Sequence, residues 1–415
     1  MTLVGGSHAD HGATFSERGG REVVEEYGRA DRAVRAVRNG VGVIEMGYGV
    51  VVITGDDRVE FVDNAVTNNV PSENGAGCYA LLLDPQGGIE TELFIYNAGE
   101  RLLLFTPPDR AEELVEDWSG KVFIQDVDIR EATTDFGVFG VHGPQATEKV
   151  ASVLHKAGAP AGAYSFVRGS MGDAGVSVIA GDAPTGEESY EIVCAAADAG
   201  EVWMTLLSRG NGAFPFGYRT YETLTLEAGT PLFDTELRGE IPNVVGLRAA
   251  LDFEKGCYVG QEVVSRVENV GQPSRRLVGI QLGDGDVTAD DPLPDGGAAV
   301  FAGDAAVGEV TRACWSPTLE ARLRWHWSAG TPTISRRSVS MERNAPPNGS
   351  TSPSSRGVNS PDDYRSTDSL LPACFSLPAV NRFHAQTRNA PIVGWQCCCS
   401  VPVERRWRPP NPIRD

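Results

Sequence analysis

Lysine is nearly missing from this chain: four of 415 residues, Lys121, Lys149, Lys156 and Lys255, stand against 56 Asp and Glu. Nucleic-acid binding needs clustered cations, and the local pair Arg275-Arg276 is too short to form such a footprint. Long apolar runs are missing too. No stretch of about eighteen apolar residues occurs, so no membrane span is expected. Met1 to Asp10 lack the basic and apolar segments of a signal peptide, which predicts a cytoplasmic protein. Paired cysteine motifs are absent as well. Cys78, Cys194, Cys257, Cys314, Cys374, Cys397, Cys398 and Cys399 follow neither a disulfide framework nor the C-x-x-C spacing of a zinc site. The run Asp284, Asp286, Asp290, Asp291 lacks the pattern of a calcium loop and its terminal glutamate, so no metal is expected.

Acid is abundant, but unevenly. Residues 321–415 hold 13 Arg, no Lys and 6 acidic residues, so this tail carries +7 of the net charge of −20 and the first 320 residues carry −27. An acidic, lysine-poor body of this kind resembles a halophile's surface, whose self-repulsion is relieved when molar salt shortens the Debye length to roughly 3 Å. The tail is of another kind. It contains 12 of the 26 prolines, is rich in Ser, Arg and Trp, and keeps neither helical nor strand period. Two readings stand: a disordered extension, or a slip of the reading frame near residue 321, with the last strand of the preceding domain missing.

Val23, Tyr27, Ala30, Val34 and Val37 recur at helical intervals and predict an amphipathic helix over 21–38. Apolar runs at 79–83, 92–96, 102–105, 136–141, 176–180 and 191–194 read as strands, several followed by helical segments, which predicts α+β layers rather than a doubly wound sheet. Beyond about residue 229 the pattern shifts to short strands with Gly, Asp and Pro connections, as in a small β-barrel. The expected division is 1–228, an α+β region of two intertwined subdomains; 229–275, a connecting segment; 276–320, an incomplete barrel; and 321–415, the atypical tail.

Lys255-Gly256-Cys257-Tyr258-Val259-Gly260-Gln261-Glu262 concentrates a thiol, an amine and two glycines. A neighbouring ammonium group favours a thiolate, and glycines let backbone pass close to a ligand or another strand; the alternative is a tight turn with a half-buried cysteine. The run resembles the signature of YgfZ-type folate-binding proteins, relatives of the glycine-cleavage T protein (aminomethyltransferase). Ala33-Val34-Arg35 ahead of a glycine, Thr67-Asn68-Asn69, Val141-His142-Gly143-Pro144 and Ser316-Pro317-Thr318-Leu319 resemble further elements of that family in the same order, covering most of residues 8–320.

The resemblance implies a T-protein fold, with folate-binding parts around a central opening and a C-terminal barrel, and tetrahydrofolate as cofactor. Glu191 falls where the T protein grips the pterin, whose N3–H and 2-amino edge can donate two parallel hydrogen bonds to a carboxylate. Glu92 falls beside the position of an aspartate near folate N10, though Thr91-Glu92 replaces paired aspartates. Tyr221 aligns with the transferase's folate-contacting arginine, with Arg219 two residues out of register, and an aromatic residue here is expected of the YgfZ branch. Lys255 and Cys257 carry over from the YgfZ motif as a reactive or recognition spot, on one face if the segment is extended. This branch implies a role in maintaining iron-sulfur enzymes, including tRNA-modifying ones, with iron-sulfur client proteins as partners. The alternatives are an aminomethyltransferase working with a lipoyl carrier protein, and a non-catalytic folate sensor that contacts a partner enzyme.

Overall fold

The computed structural model describes residues 2–329 apart from Gln272, Ser274, 283–291 and Gly303; the aspartate run, the tail cysteines and all of 330–415 lie outside the described residues. Seventeen strands occur among the described residues: β1 (Thr14–Arg18), β2 (Arg21–Glu26), β3 (Gly42–Glu45), β4 (Gly49–Thr54), β5 (Gly77–Leu83), β6 (Ile89–Asn97), β7 (Arg101–Thr106), β8 (Asp128–Glu131), β9 (Phe136–His142), β10 (Phe166–Met171), β11 (Ala174–Ala180), β12 (Ser189–Ala195), β13 (Phe214–Pro215), β14 (Arg275–Leu282), β15 (Ala299–Ala302), β16 (Ala305–Ser316) and β17 (Ala321–Ala329).

The helix expected over 21–38 is shorter than its periodicity suggests. Residues 21–26 form β2, paired with β1, and only Ala30–Asn39 is helical. Val23 and Val24 are both buried, and adjacent β-branched residues suit a strand covered on both faces better than one helical stripe. Tyr27-Gly28, with Gly28 at φ 87°, breaks the chain between them.

Two sheets make up the main body. One has the order β10-β11-β12-β9-β3-β13 and the other β5-β6-β7-β4-β8. The chain enters the first sheet at β3, crosses to the second for β4 to β8, and returns for β9 to β13, so the two halves interlock. Strand alternation then sorts the side chains. In β12, Tyr190, Ile192 and Cys194 point to a core shared with helices Ala146–Val153 and Ala199–Ser208, whereas Val193 points to the opposite core. In β6, Leu93 and Ile95 join the core under helix Ala111–Ser119, and Tyr96 joins the same inner core as Val193. That inner core unites Ile44, Val50, Val52, Phe105 and Val138 from the facing sheets with Tyr221 and Leu224 of helix Tyr218–Ala228. The result is a layered α+β body whose two sheets face one another across a common interior.

A third sheet of order β14-β17-β16-β15 closes the described chain. Here the structure corrects an expectation: the last strand is present, and 321–329 are not structureless. β17 lies inside the sheet, pairs with both β14 and β16, and buries Leu323, Trp325 and Trp327. Its apolar residues alternate, a strand period concealed by the Arg and His set between them. Leu323 and Trp325 pack on Leu226 of the Tyr218–Ala228 helix.

Candidate functional site

Three carboxylates meet the interior between the two sheets, each held by one tyrosine. Tyr48 donates to Glu191 Oε1 at 2.7 Å, Tyr79 to Glu92 Oε2 at 2.8 Å, and Tyr164 to Asp182 Oδ2 at 2.7 Å. Phe94 is the hub of these tyrosines. Its ring centroid lies 6.0 Å from Tyr48, 4.8 Å from Tyr79 in a stacked pair, and 6.3 Å from Tyr164. Such contacts fix ring orientation as well as burying area, so the three hydroxyls are aimed by aromatic packing.

Local sequence explains each placement. Glu92 and Phe94 lie two apart on β6 and therefore on one face, and Tyr79 pairs directly with Phe94 across the β5–β6 ladder. Glu191 shares a face of β12 with Val193, which points inward. Tyr48 sits in the short link by which the chain crosses from the first sheet to the second. That link is clamped: Tyr218 Oη accepts the Gly47 N–H at 2.7 Å, and the Arg21 guanidinium donates to the Tyr48 carbonyl. A Cβ at Gly47 would lie 2.7 Å from Val23 Cγ1, so the close approach needs glycine.

Electrostatics makes the two glutamates unusual. Burial pushes the carboxyl of Glu191 up to about 7, with the Tyr48 hydrogen bond opposing and the Asp182 charge reinforcing the rise. Burial likewise raises Glu92 to about 7, opposed by the Tyr79 hydrogen bond and assisted by Asp182 and Asp234. The difference lies in what remains unpaired. Glu191 Oε2 is buried with no hydrogen-bond partner, a state that native interiors rarely leave uncompensated. With one oxygen on a tyrosine and the other open, Glu191 can accept a donor-rich edge from a ligand.

Tyr221 belongs to this interior; it is buried, its ring lies 6.0 Å from Tyr218 and 5.7 Å from His142, and it feels the charges of Glu191, Asp182 and Glu92. Arg219, two residues earlier on the same helix, is exposed and pairs with Glu26 at 3.4 Å. Asp182 and its partner Tyr164 were missed by sequence reasoning. Asp182 lies two residues before the Pro184-Thr185-Gly186-Glu187 turn, and nothing in local spacing marks it.

Lys255 and Cys257 lie elsewhere and face apart. The Lys255 side chain is 2% exposed, and its ammonium donates to the carbonyls of Asp63 (2.6 Å), Val66 (3.0 Å) and Asn68 (2.8 Å), with Asp63 Oδ1 at 3.2 Å. Thr67 hydroxyl donates to the Ala250 carbonyl at 2.6 Å and accepts from Leu81 N–H at 2.9 Å. Lysine and threonine thus join the Thr67-Asn68-Asn69 turn to the segment carrying the eight-residue motif. Tyr258 is buried beside Leu81 and Leu83, and Gly260, at φ 80°, approaches the Asp84 carbonyl so closely that a Cβ would stand 2.7 Å away. Cys257 is exposed.

Two interlocked sheets, a tyrosine-held carboxylate interior and a separate C-terminal sheet define a class that comparison makes specific. Residues 5–255 match the GCVT N-terminal domain, and residues 275–323 match the glycine cleavage T-protein C-terminal barrel domain. The chain belongs to the aminomethyltransferase superfamily of the glycine cleavage T protein. It is 29% identical over 322 residues to an aminomethyltransferase of Geobacillus kaustophilus, covering 76% of this chain and 86% of that protein. It is 27% identical over 320 residues to one of Bacillus subtilis, covering 75% and 86%. Glycine cleavage system aminomethyltransferase T from Bartonella henselae shares the fold, with a TM-score of 0.67 at 20% identity over 79% of this chain and 89% of that one. Among the described residues no helix is long and apolar enough to cross a membrane, and no cluster of His, Cys, Asp and Glu could hold a metal ion.

Proposed function

We propose that this chain binds tetrahydrofolate in the interior between its two large sheets and acts as a YgfZ-like protein that supports iron-sulfur enzymes and tRNA modification. One observation carries the folate reading: the open, buried Oε2 of Glu191 beside an Oε1 fixed by Tyr48. A pterin edge donates from two adjacent nitrogens, which matches a carboxylate presenting both oxygens. Phe94, Tyr48, Tyr79 and Tyr164 supply flat apolar surfaces for the rings. When bound, the cofactor supplies the one-carbon chemistry; the chain's residues orient it and hold protons. The YgfZ branch is supported by Tyr221 in place of an arginine, by Thr91-Glu92 in place of paired aspartates, and by the Lys255–Glu262 motif.

A second reading, aminomethyl transfer with a lipoyl carrier protein, draws on Glu92. A carboxyl held at about 7 beside a tyrosine hydroxyl can hold or release a proton near neutrality, as general acid–base work requires. The names of the similar proteins also point that way. The test has two arms, in high salt: tetrahydrofolate affinity of the wild type and of Glu191→Gln, and methylene transfer with the glycine cleavage partners. Binding weakened on the order of a hundredfold by Glu191→Gln, with no transfer, fits the proposal. Transfer at rates typical of enzymes moves the assignment to the second reading, and wild-type protein that ignores tetrahydrofolate removes both.

A further inference from the structure

His142 belongs to the Val141-His142-Gly143-Pro144 run, yet neither functional reading uses it. Its imidazole is 3% exposed, and neither ring nitrogen has a hydrogen-bond partner among the described residues. Burial lowers its pKa to about 3, so at neutral pH the ring is uncharged and carries one N–H donor and one acceptor. Both are unmet. Valences left open inside a protein cost stability, and they call for an explanation.

Strand register shows what surrounds the ring. His142 lies two residues beyond Gly140 and four beyond Val138 on β9, so it shares the face that Val138 turns to the inner core. Gly140 pairs directly with Glu191 of β12, and His142 pairs with Ser189, which puts His142 and Glu191 at diagonal positions on one sheet face. The ring leans toward Gly140. A Cβ built on that glycine would stand 2.6 Å from His142 Nε2, so the imidazole occupies the space that Gly140 leaves opposite Glu191. Phe216 and Tyr221 hold it there edge-on, with ring centroids 5.9 and 5.7 Å away. Two neighbouring side chains on one inward face thus present buried polar atoms with nothing to bind: Glu191 Oε2, and both nitrogens of His142.

Resting on the folate reading, we infer that His142 is a further ligand-binding residue, whose imidazole N–H donates to the pterin C4 carbonyl. Along one edge a pterin presents its 2-amino group, N3–H and the C4 oxygen, which is two donors followed by an acceptor. A carboxylate answers the two donors, and a neutral imidazole beside it answers the acceptor. Glu191 alone leaves that oxygen unmet.

The experiment compares wild type and His142→Phe for their affinity toward tetrahydrofolate and toward 6-methyltetrahydropterin, which has the ring without the aminobenzoylglutamate tail. Phenylalanine keeps the aromatic contacts and removes both nitrogens. The expected result is a loss of roughly tenfold for both ligands, the worth of one neutral hydrogen bond. The free variant should also melt about a few degrees higher than free wild type, because two unmet valences are gone. A residue serving only the fold would shift melting the other way. Where the larger ring prevents folding, His142→Leu replaces it in the same comparison. Unchanged affinities, as for an imidazole satisfied by trapped water, overturn the assignment and leave the folate reading standing. A loss confined to tetrahydrofolate also overturns it, by placing His142 on the tail instead of the ring. Failure of wild type to bind either ligand removes the folate reading and this inference with it.

Discussion

Glu191 and Lys255 are both buried charges that the sequence marks as site residues, and the structure treats them in opposite ways. The Lys255 ammonium has three donors, and four acceptors from the Asp63–Asn68 turn surround it. The Glu191 carboxylate has one oxygen satisfied by Tyr48 and one with nothing. A buried charge whose valences are filled stabilises a fold, because removing it strands its partners. A buried charge with a valence open is a cost unless something outside the chain fills it. By that criterion the motif around Lys255 is a clasp between two loops, and the interior around Glu191 is the proposed ligand site.

The comparison breaks most readily at Lys255. Lys255→Ala leaves three carbonyls without their donor and the Asp63 carboxylate, which keeps the Val70 N–H, without its cation; it is expected to destabilise by about 3 kcal/mol in urea unfolding, without a matching change in folate affinity per folded molecule. Normal stability with lost ligand affinity would reverse the roles assigned to the two residues. Glu191→Gln should act with the opposite sign on stability. The folded carboxyl sits at about 7 against an ordinary 4.5, so its stabilising contribution is complete below about 4.5 and lost as pH rises through about 7. Above that, the buried charge costs up to roughly 3 kcal/mol, and the neutral amide should raise the melting temperature at pH 8 but not at pH 4. A pH-independent effect would mean that Glu191 is not held protonated by its surroundings.

Smaller effects sharpen the picture of the clasp. Gly260→Ala places a Cβ against the Asp84 carbonyl in a left-handed conformation, with an expected loss of about 1–2 kcal/mol seen by thermal melting. Cys257→Ser should change stability by less than about 0.5 kcal/mol, since the thiol is exposed and its neighbours Lys255 and Tyr258 provide the anchoring. A large loss there would place Cys257 within the packing. An alkylation time course with a thiol reagent, slow for buried Cys78 and Cys194 and fast for Cys257, checks the same point.

Much of the architecture was legible in the residues, and the exceptions have physical causes. The alternation in β6 and β12 placed Glu92 and Glu191 on strand faces, but a single strand does not say which of its faces meets the other sheet. Residues 21–26 read as helix because Val23 and Tyr27 match a helical interval, whereas pairing with β1 and burial of both valines decided otherwise. β17 read as tail because Arg322, Arg324 and His326 interrupt its apolar set, yet two neighbouring ladders and the Leu226 contact order it.

By itself the sequence determined most strands of the two large sheets, the acidic charge of the body, and the family to which Glu191 and the Lys255 motif point, because these depend on local period, composition and short spacing. Only the tertiary structure decided that three tyrosines from separate segments share one phenylalanine, that each steadies a carboxylate, and that Lys255 turns away from Cys257. Those contacts join residues up to 192 positions apart, as Lys255 and Asp63 are. Pairings at such range are selected by the close packing of whole sheets, which no local pattern encodes.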